Sequence, residues 1–69
     1  MITIILNGED KQIQANISIE ELLQDLGLSQ NRLAVEINHE IISRSDFGNH
    51  VINDQDKIEI VHAIGGGSN

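Results

Sequence analysis

The chain contains one segment with clear helical periodicity, and this segment constrains the fold more than any other feature. Four apolar residues recur at the spacing that lines one face of a helix, namely Ile19, Leu22, Leu23 and Leu26. Ser18 precedes them and Glu21 follows three residues later, which is the pattern of a capping box. Gly27 can take the left-handed conformation that ends a helix. The sequence therefore predicts a single short amphipathic helix over residues 19–26.

The segments on either side of this helix have the composition of β-strands. Residues 2–6 are mostly β-branched and end at Asn7-Gly8, a dipeptide that favours a tight hairpin turn into a second strand. Strands are predicted over residues 2–6, 11–15, 33–38, 41–42 and 58–64. One helix on one face of a mixed sheet is an α+β architecture. The last strand is as apolar as the first, and we expect it to lie centrally and parallel to the first strand.

The strand alternation and the helical stripe together predict the hydrophobic core. Residues 43–50, polar except for Phe47, are predicted to form a loop or one helical turn. The domain is expected to span residues 1–64, and the glycine-rich residues 65–69 are expected to form a flexible tail. The predicted core consists of Ile2, Ile4, Leu6, Ile13, Leu22, Leu23, Leu26, Val35, Ile37, Ile58 and Ile60.

Composition narrows the possible functions. Eleven acidic residues against four basic ones, for a net charge of −7, repel phosphate backbones, so nucleic acid is not an expected partner. A basic protein surface fits this charge better. No apolar run approaches the ~20 residues that a membrane-spanning helix needs, so no membrane partner is expected. The 69 residues include no Cys, which excludes disulfides and thiol nucleophiles and favours a cytoplasmic location.

No constellation of side chains in the sequence indicates catalysis. His39, His50 and His62 are spaced unlike any metal-ligand pattern, so no metal site is predicted. Asp54 and Asp56 lie in a turn without the remaining ligands of a calcium loop. Because no nucleophile and base are paired either, we expect neither catalytic residues nor a bound cofactor.

Four stretches of the chain together form a recognisable pattern. They are Ala34-Val35-Glu36-Ile37-Asn38, Ile41-Ile42 with Arg44, Asp54-Gln55-Asp56-Lys57-Ile58-Glu59-Ile60-Val61 and Ile64-Gly65-Gly66-Gly67. In these stretches the chain resembles the ubiquitin-like sulfur carriers, which have the β-grasp fold, and in particular the ThiS family of thiamine thiazole biosynthesis. The chain differs from that family's common pattern at Ser43, Phe47 and Gln55, where Pro, Trp and Gly are frequent, and at Ser68-Asn69, which follow the glycines.

The resemblance implies a protein that is itself a substrate. A ThiF-like adenylyltransferase would adenylate the terminal glycine with ATP. Sulfur from a cysteine desulfurase would then convert it to a thiocarboxylate, and thiazole synthase would accept that sulfur. The sulfur-carrying residue would be Gly67, or Gly66 as the alternative, with Gly65 and Gly66 forming the tail. Since glycine lacks a Cβ, such a tail can enter a narrow site in whatever conformation the site requires.

The predicted parallel pairing of the first and last strands also indicates a partner-binding face. If their core residues are as predicted, Ile5, Glu59, Val61 and Ala63 point away from the core. Ile5, Val61 and Ala63 would then form an apolar patch leading towards the glycines, with Glu59 at its rim. We predict that this patch binds the adenylating partner.

Two alternative functions share the same fold. The small subunit of molybdopterin synthase is also a sulfur carrier with a glycine tail. A plain β-grasp binding module, such as a ubiquitin-like or TGS-like interaction domain, would use its glycines only as a tether or linker.

Overall fold

The computed structural model describes residues 1–62 and consists of a five-stranded mixed sheet with one α-helix packed on it. The strand order is β2-β1-β5-β3-β4, with β5 parallel to β1 and antiparallel to β3. The predicted ubiquitin-like β-grasp, with its last strand central and parallel to the first, is confirmed. The predicted tail and residues 63–64 lie outside the described residues. The elements are β1 (Ile2–Leu6), β2 (Glu9–Ile13), α1 (Ile19–Asp25), β3 (Leu33–Ile37), β4 (Glu40–Ile42) and β5 (Lys57–His62), with 3-10 turns at Gln30–Arg32 and Arg44–Asp46.

A two-residue turn joins the first two strands. Asn7 and Gly8 have φ values of 49° and 86°, as the favoured hairpin turns with two left-handed residues require. The predicted bounds of the second strand, residues 11–15, were wrong. Because so short a turn pairs Leu6 directly with Glu9, the second strand begins there, two residues earlier than its alternation suggested.

The helix begins at the predicted capping box. Glu21 donates its backbone N–H to Ser18 Oγ at 3.1 Å, and Ser18 donates its own N–H to Glu21 Oε1 at 2.9 Å. Glu20 and Glu21 also place negative charge in the first turn, where the helix dipole favours it. These interactions satisfy backbone donors that a helix start leaves unpaired.

The helix ends one residue earlier than predicted, because Leu26 is its C-cap. Gly27 follows with φ of 73°, and its N–H donates to the carbonyl of Gln24 at 3.0 Å. Leu28 donates its N–H to the carbonyl of Leu23 at 2.9 Å, which completes a Schellman motif. Among residues 1–62, no helix has the length and apolar content needed to cross a membrane.

The helix and the segment after β4 cover one face of the sheet and enclose the core. Of the predicted core, Ile4, Ile13, Leu22, Leu23, Val35, Ile37 and Ile58 are buried, whereas Ile2, Leu6, Leu26 and Ile60 are partly buried against it. The prediction omitted five other buried residues, Ile17, Ile19, Leu33, Phe47 and Ile52.

Phe47 is the largest of the omitted residues, and its side chain is only 2% exposed. Its carbonyl accepts the N–H of Glu20 at 3.0 Å, and the carbonyl of His50 accepts that of Ile19 at 3.0 Å. The segment over residues 43–50, predicted as a loop or one helical turn, contains the 3-10 turn Arg44–Asp46 and folds over the start of α1. Its polar side chains face outward, while Phe47 and Ile52 fill the end of the core.

We predict that Leu23→Ala lowers the free energy of unfolding by about 2–5 kcal/mol, because Leu23 is fully buried between helix and sheet. That is a large share of the ~5–15 kcal/mol that stabilises a typical domain. Urea denaturation measures the effect, and Gln24→Ala, an exposed position on the same helix, is the matched control. Equal midpoints for the two variants would contradict this packing.

Candidate functional site

Strand β5 is the element that leads to the predicted reactive end of the chain. Its described part ends at His62. Ala63 and the predicted sulfur-carrying Gly67, with Gly65 and Gly66 before it, lie outside the described residues. The site is therefore built here from β5, its supports and the sheet face that it shares with its neighbours.

The two neighbours support β5 to different extents. The register with β3 runs from Ile37 opposite Ile58 to Leu33 opposite His62, and so covers most of β5. The register with β1 joins only Ile5 to Lys57 and Leu6 to Ile58.

Asn7 extends the support on the β1 side. Its backbone N–H donates to the carbonyl of Ile58 at 2.9 Å, and its side-chain Oδ1 accepts the N–H of Ile60 at 2.8 Å. The side-chain amide thus takes the place of the next residue of a strand, just where β1 turns away into the hairpin. Beyond this contact, β5 continues alongside β3.

Asn38 fixes the beginning of β5 from the other side. Its N–H donates to the carbonyl of Lys57 at 2.8 Å, and its Oδ1 accepts the N–H of Lys57 at 3.0 Å. Its Nδ2 donates to Oδ1 of Asp56 at 3.0 Å, and Asp56 Oδ2 accepts the N–H of Asn53 at 2.8 Å. The Asp56 residue is only 8% exposed, and these bonds supply the partners that a buried carboxylate needs.

The turn before β5 is tied to β1 as well. Asp54 Oδ1 accepts the N–H of Thr3 at 2.8 Å, and Gln55 donates its N–H to the Thr3 carbonyl at 2.7 Å. Gln55 has φ of 71°, in the left-handed region that favours glycine. The Asp54 and Asp56 side chains therefore serve the turn, as expected from the absence of further calcium ligands.

The face of the sheet opposite α1 carries the three predicted partner-binding residues that the structure describes, Ile5, Glu59 and Val61. Val61 is 57% exposed and Glu59 is also exposed, and they lie on the same strand face. Ile5 is half-buried and lies beside Lys57. Lys57 is four residues before Val61 on β5, so Ile5 and Val61 are separated by about 13 Å along the strand direction. The structure thus brings Glu59 and Val61 together and leaves Ile5 apart from Val61.

The register adds three residues that sequence reasoning missed. Ala34 lies opposite Val61, Glu36 opposite Glu59, and Ile41 of β4 opposite Glu36. We call the surface formed by Ala34, Glu36, Ile41, Glu59 and Val61 the outer-face patch. It borders a shallow depression of about 140 Å³. The alternation of β3 places Ala34 and Glu36 away from the core, but only the pairing of β3 with β5 places them beside Val61 and Glu59.

The described part of the chain shows neither a metal-ligand cluster nor an unpaired buried polar side chain. Within residues 1–62, no three His, Cys, Asp or Glu side chains are grouped so that they could hold a metal ion. Within the same residues, no buried side-chain nitrogen or oxygen lacks a hydrogen-bond partner. The side chains of Asn7, Asn38 and Asp56 are occupied in holding β5 and the turn before it.

Comparisons with known proteins agree in family and fold. A model of the ThiS family matches residues 4–67. The sulfur carrier protein ThiS of Escherichia coli is 33% identical over 64 residues, with 93% of this chain and 97% of the relative covered. The crystal structure of a thiamine biosynthesis protein (ThiS) from Geobacter metallireducens aligns with a TM-score of 0.84 and 28% identity, covering 96% of this chain and 100% of that one.

A second group of relatives is much longer. A thiazole synthase from Paramagnetospirillum magneticum is 43% identical over 65 residues, which cover 94% of this chain and 20% of the relative. A thiazole synthase from Magnetococcus marinus is 44% identical over 62 residues, or 90% of this chain and 19% of the relative. The chain therefore spans about a fifth of the length of these proteins.

We predict that Asn38→Gly lowers the free energy of unfolding by about 1–3 kcal/mol, because Asp56 and the Lys57 N–H lose their partner while the positive φ stays permitted. His39→Gly is the matched control, since His39 has φ of 71° in the same turn. Thermal or urea denaturation of both variants tests the prediction. If His39→Gly loses as much stability as Asn38→Gly, the effect is due to the introduced glycine and not to the lost hydrogen bonds.

Proposed function

Because this chain belongs to the ThiS family, we propose that it is a sulfur carrier protein of thiamine biosynthesis and not itself a catalyst. The observation that carries the proposal is the match over nearly the whole chain, up to residue 67, to a family whose E. coli and Bacillus subtilis members are named sulfur carriers. The ThiS structure from G. metallireducens, with a TM-score of 0.84, supports it independently.

The proposed chemistry starts from a glycine carboxylate that must be activated before sulfur can react with it. A free carboxylate is a poor electrophile, so one of its oxygens first attacks the α-phosphorus of ATP in a ThiF-like adenylyltransferase, and pyrophosphate leaves. The outer sulfur of a persulfide formed by a cysteine desulfurase then displaces AMP from the acyl carbon and gives an acyl disulfide. A thiol reductant cleaves the S–S bond of this intermediate, which releases the thiocarboxylate and leaves the two thiol sulfurs joined as a disulfide. The carrier supplies the carboxylate and a docking surface, and ATP binds to the partner enzyme.

Gly67 is the residue that we assign to this carboxylate, with Gly66 as the alternative. The family match ends at Gly67, which supports the assignment. Ser68 and Asn69 follow it in this sequence, so the reactive end would form only once they are removed. With no Cβ, Gly65, Gly66 and Gly67 suit entry into a narrow enzyme site.

Thiazole synthase is the proposed acceptor of the sulfur. In P. magneticum and M. marinus, proteins named thiazole synthase contain a segment similar to this chain. A carrier-like segment in the same polypeptide as the synthase favours a working contact between the two, since a covalent link raises their effective concentration. We place this exchange in the cytoplasm, where the carrier would meet the three enzymes.

The relatives also favour thiamine biosynthesis over the alternatives. The named short relatives are sulfur carriers called ThiS, and the long ones are thiazole synthases. These names support the thiamine pathway over molybdopterin synthesis, and a carrier over a β-grasp module with a tether.

The first test compares the full chain with versions ending at Gly67 and at Gly66. We expect the full chain to resist adenylation, because the reactive carboxylate is then part of a peptide bond. The form ending at Gly67 should accept AMP and, with the desulfurase, its cysteine substrate and a thiol reductant, gain the mass of one sulfur-for-oxygen exchange. Intact-mass spectrometry with the adenylyltransferase from the same organism measures both steps.

The three forms give distinct answers. Modification of only the form ending at Gly66 would move the reactive residue to Gly66. If neither shortened form accepts AMP, the carrier function fails and the binding module takes its place.

A second prediction concerns the apolar centre of the outer-face patch. Val61→Asp should weaken binding to the adenylyltransferase by about ten-fold or more, since it buries a charge in the contact. The fold should persist, because Val61 is 57% exposed. Val51→Asp is the matched control, because Val51 is 48% exposed and lies outside the patch. Calorimetric affinities that are equal for Val61→Asp and the parent protein would exclude this surface.

A further inference from the structure

We infer that Glu36 and Glu59 together form a receptor for one arginine side chain of the adenylyltransferase, presented beside an apolar side chain that enters the depression of the outer-face patch. The inference rests on the proposed function, and it specifies the chemistry by which the carrier's partner recognises it. It also assigns a binding role to Glu36.

The apolar half of the receptor is the exposed hydrophobic surface on β4 and β5. Ile41 is 75% exposed and Val61 is 57% exposed. Ala34 lies opposite Val61 and completes the floor of the depression. Burying such side chains against another protein is favourable, because it removes apolar area from water.

The charged half of the receptor lies between these two apolar side chains. Glu36 and Glu59 face each other directly across the antiparallel pair β3 and β5, and Ile41 is the next residue along the same row. Like charges directly opposite each other destabilise a sheet. This pair therefore does not serve the stability of the free protein, and a cation placed between the two carboxylates would remove the repulsion.

Arginine fits this arrangement better than lysine. Directly opposite residues on paired strands have Cβ atoms about 4.5–5.5 Å apart, so the two carboxylates can approach one planar guanidinium from two sides. Its fixed fork of N–H donors can bond to both carboxylates at once, whereas an ammonium is a compact point charge. The flat guanidinium also tolerates the apolar neighbours Ile41 and Val61 better than the more strongly hydrated ammonium.

The charge of the whole chain selects among the possible occupants of the patch. A second copy of this chain would bring another net charge of −7 and, in a two-fold contact, a second Glu36–Glu59 pair against the first. A partner enzyme with positive charge at its docking surface has the opposite electrostatics. Complementary charge also speeds encounter, which suits a carrier that must bind, react and leave.

The test measures the affinity of the full chain for the adenylyltransferase of the same organism by calorimetry at low and high salt. Glu36→Gln and Glu59→Gln should each weaken binding several-fold, and the double variant by roughly ten-fold or more. The double variant should also lose much of the salt dependence. Its thermal midpoint should be equal to or above that of the parent protein, since a like-charge pair is gone.

Asp10→Asn is the matched control for the change in net charge. Asp10 lies opposite Ile5, on the same side of the sheet but at its far edge, so its loss removes one charge without touching the patch. We expect its affinity to stay close to that of the parent protein. If Asp10→Asn weakens binding as much as Glu36→Gln, only the overall charge matters and the receptor is refuted.

Adenylation of the form ending at Gly67 tests the carrier function separately from the arginine receptor. If that form is adenylated while the double variant binds as tightly as the parent protein, the receptor is wrong and the carrier function stands. If that form is never adenylated and the full chain binds no adenylyltransferase, both are wrong. A charge swap identifies the arginine. The double variant Glu36→Lys, Glu59→Lys should lose affinity for the enzyme. If changing one enzyme arginine to glutamate restores that affinity, this arginine is the occupant of the receptor.

Discussion

The central strand β5 is held in place by two asparagine side chains, which form hydrogen bonds that the backbone of a neighbouring strand would otherwise form. Asn38 pairs with both backbone groups of Lys57 at the start of the strand, and Asn7 accepts the N–H of Ile60 further along. Both asparagines lie in two-residue hairpin turns with positive φ, which asparagine tolerates better than most residues. The turns that connect the outer strands therefore also position the inner strand.

The second constraint is that the helix covers only one face of the sheet. The core lies between α1, the segment containing Phe47 and the inner face, so the opposite face stays open. That open face is where Glu59 and Val61 lie beside residues of β3 and β4. The core and the proposed docking surface thus share the same strands, with alternate residues on each face. A substitution on one face can change binding while the other face keeps the fold.

Local signals predicted most of the fold, and long-range pairing explains the rest. The capping box of Ser18, the stop at Gly27 and the turn at Asn7 depend on neighbouring residues, and all three were predicted from the sequence. Phe47 was missed because its burial depends on a segment folding back over the helix Ile19–Asp25, which is distant in sequence. Glu36 was missed as a patch residue because nothing local shows that β3 pairs with β5. The resemblance to the ThiS family supplied the carrier chemistry, which the side chains of residues 1–62 do not reveal by themselves.

The uneven support of β5 divides the strand into two parts that open at different free energies. Ile58 is fully buried and is held by β1 and β3, whereas His62 is exposed and pairs with β3 beyond the reach of β1. Amide protons near the end of a strand held on one side exchange with solvent through small local openings, while those in the core require global unfolding. The end of β5 can therefore change its conformation while the core remains closed. This is a property that the proposed carrier function would use, since one strand end would meet several enzyme surfaces in turn.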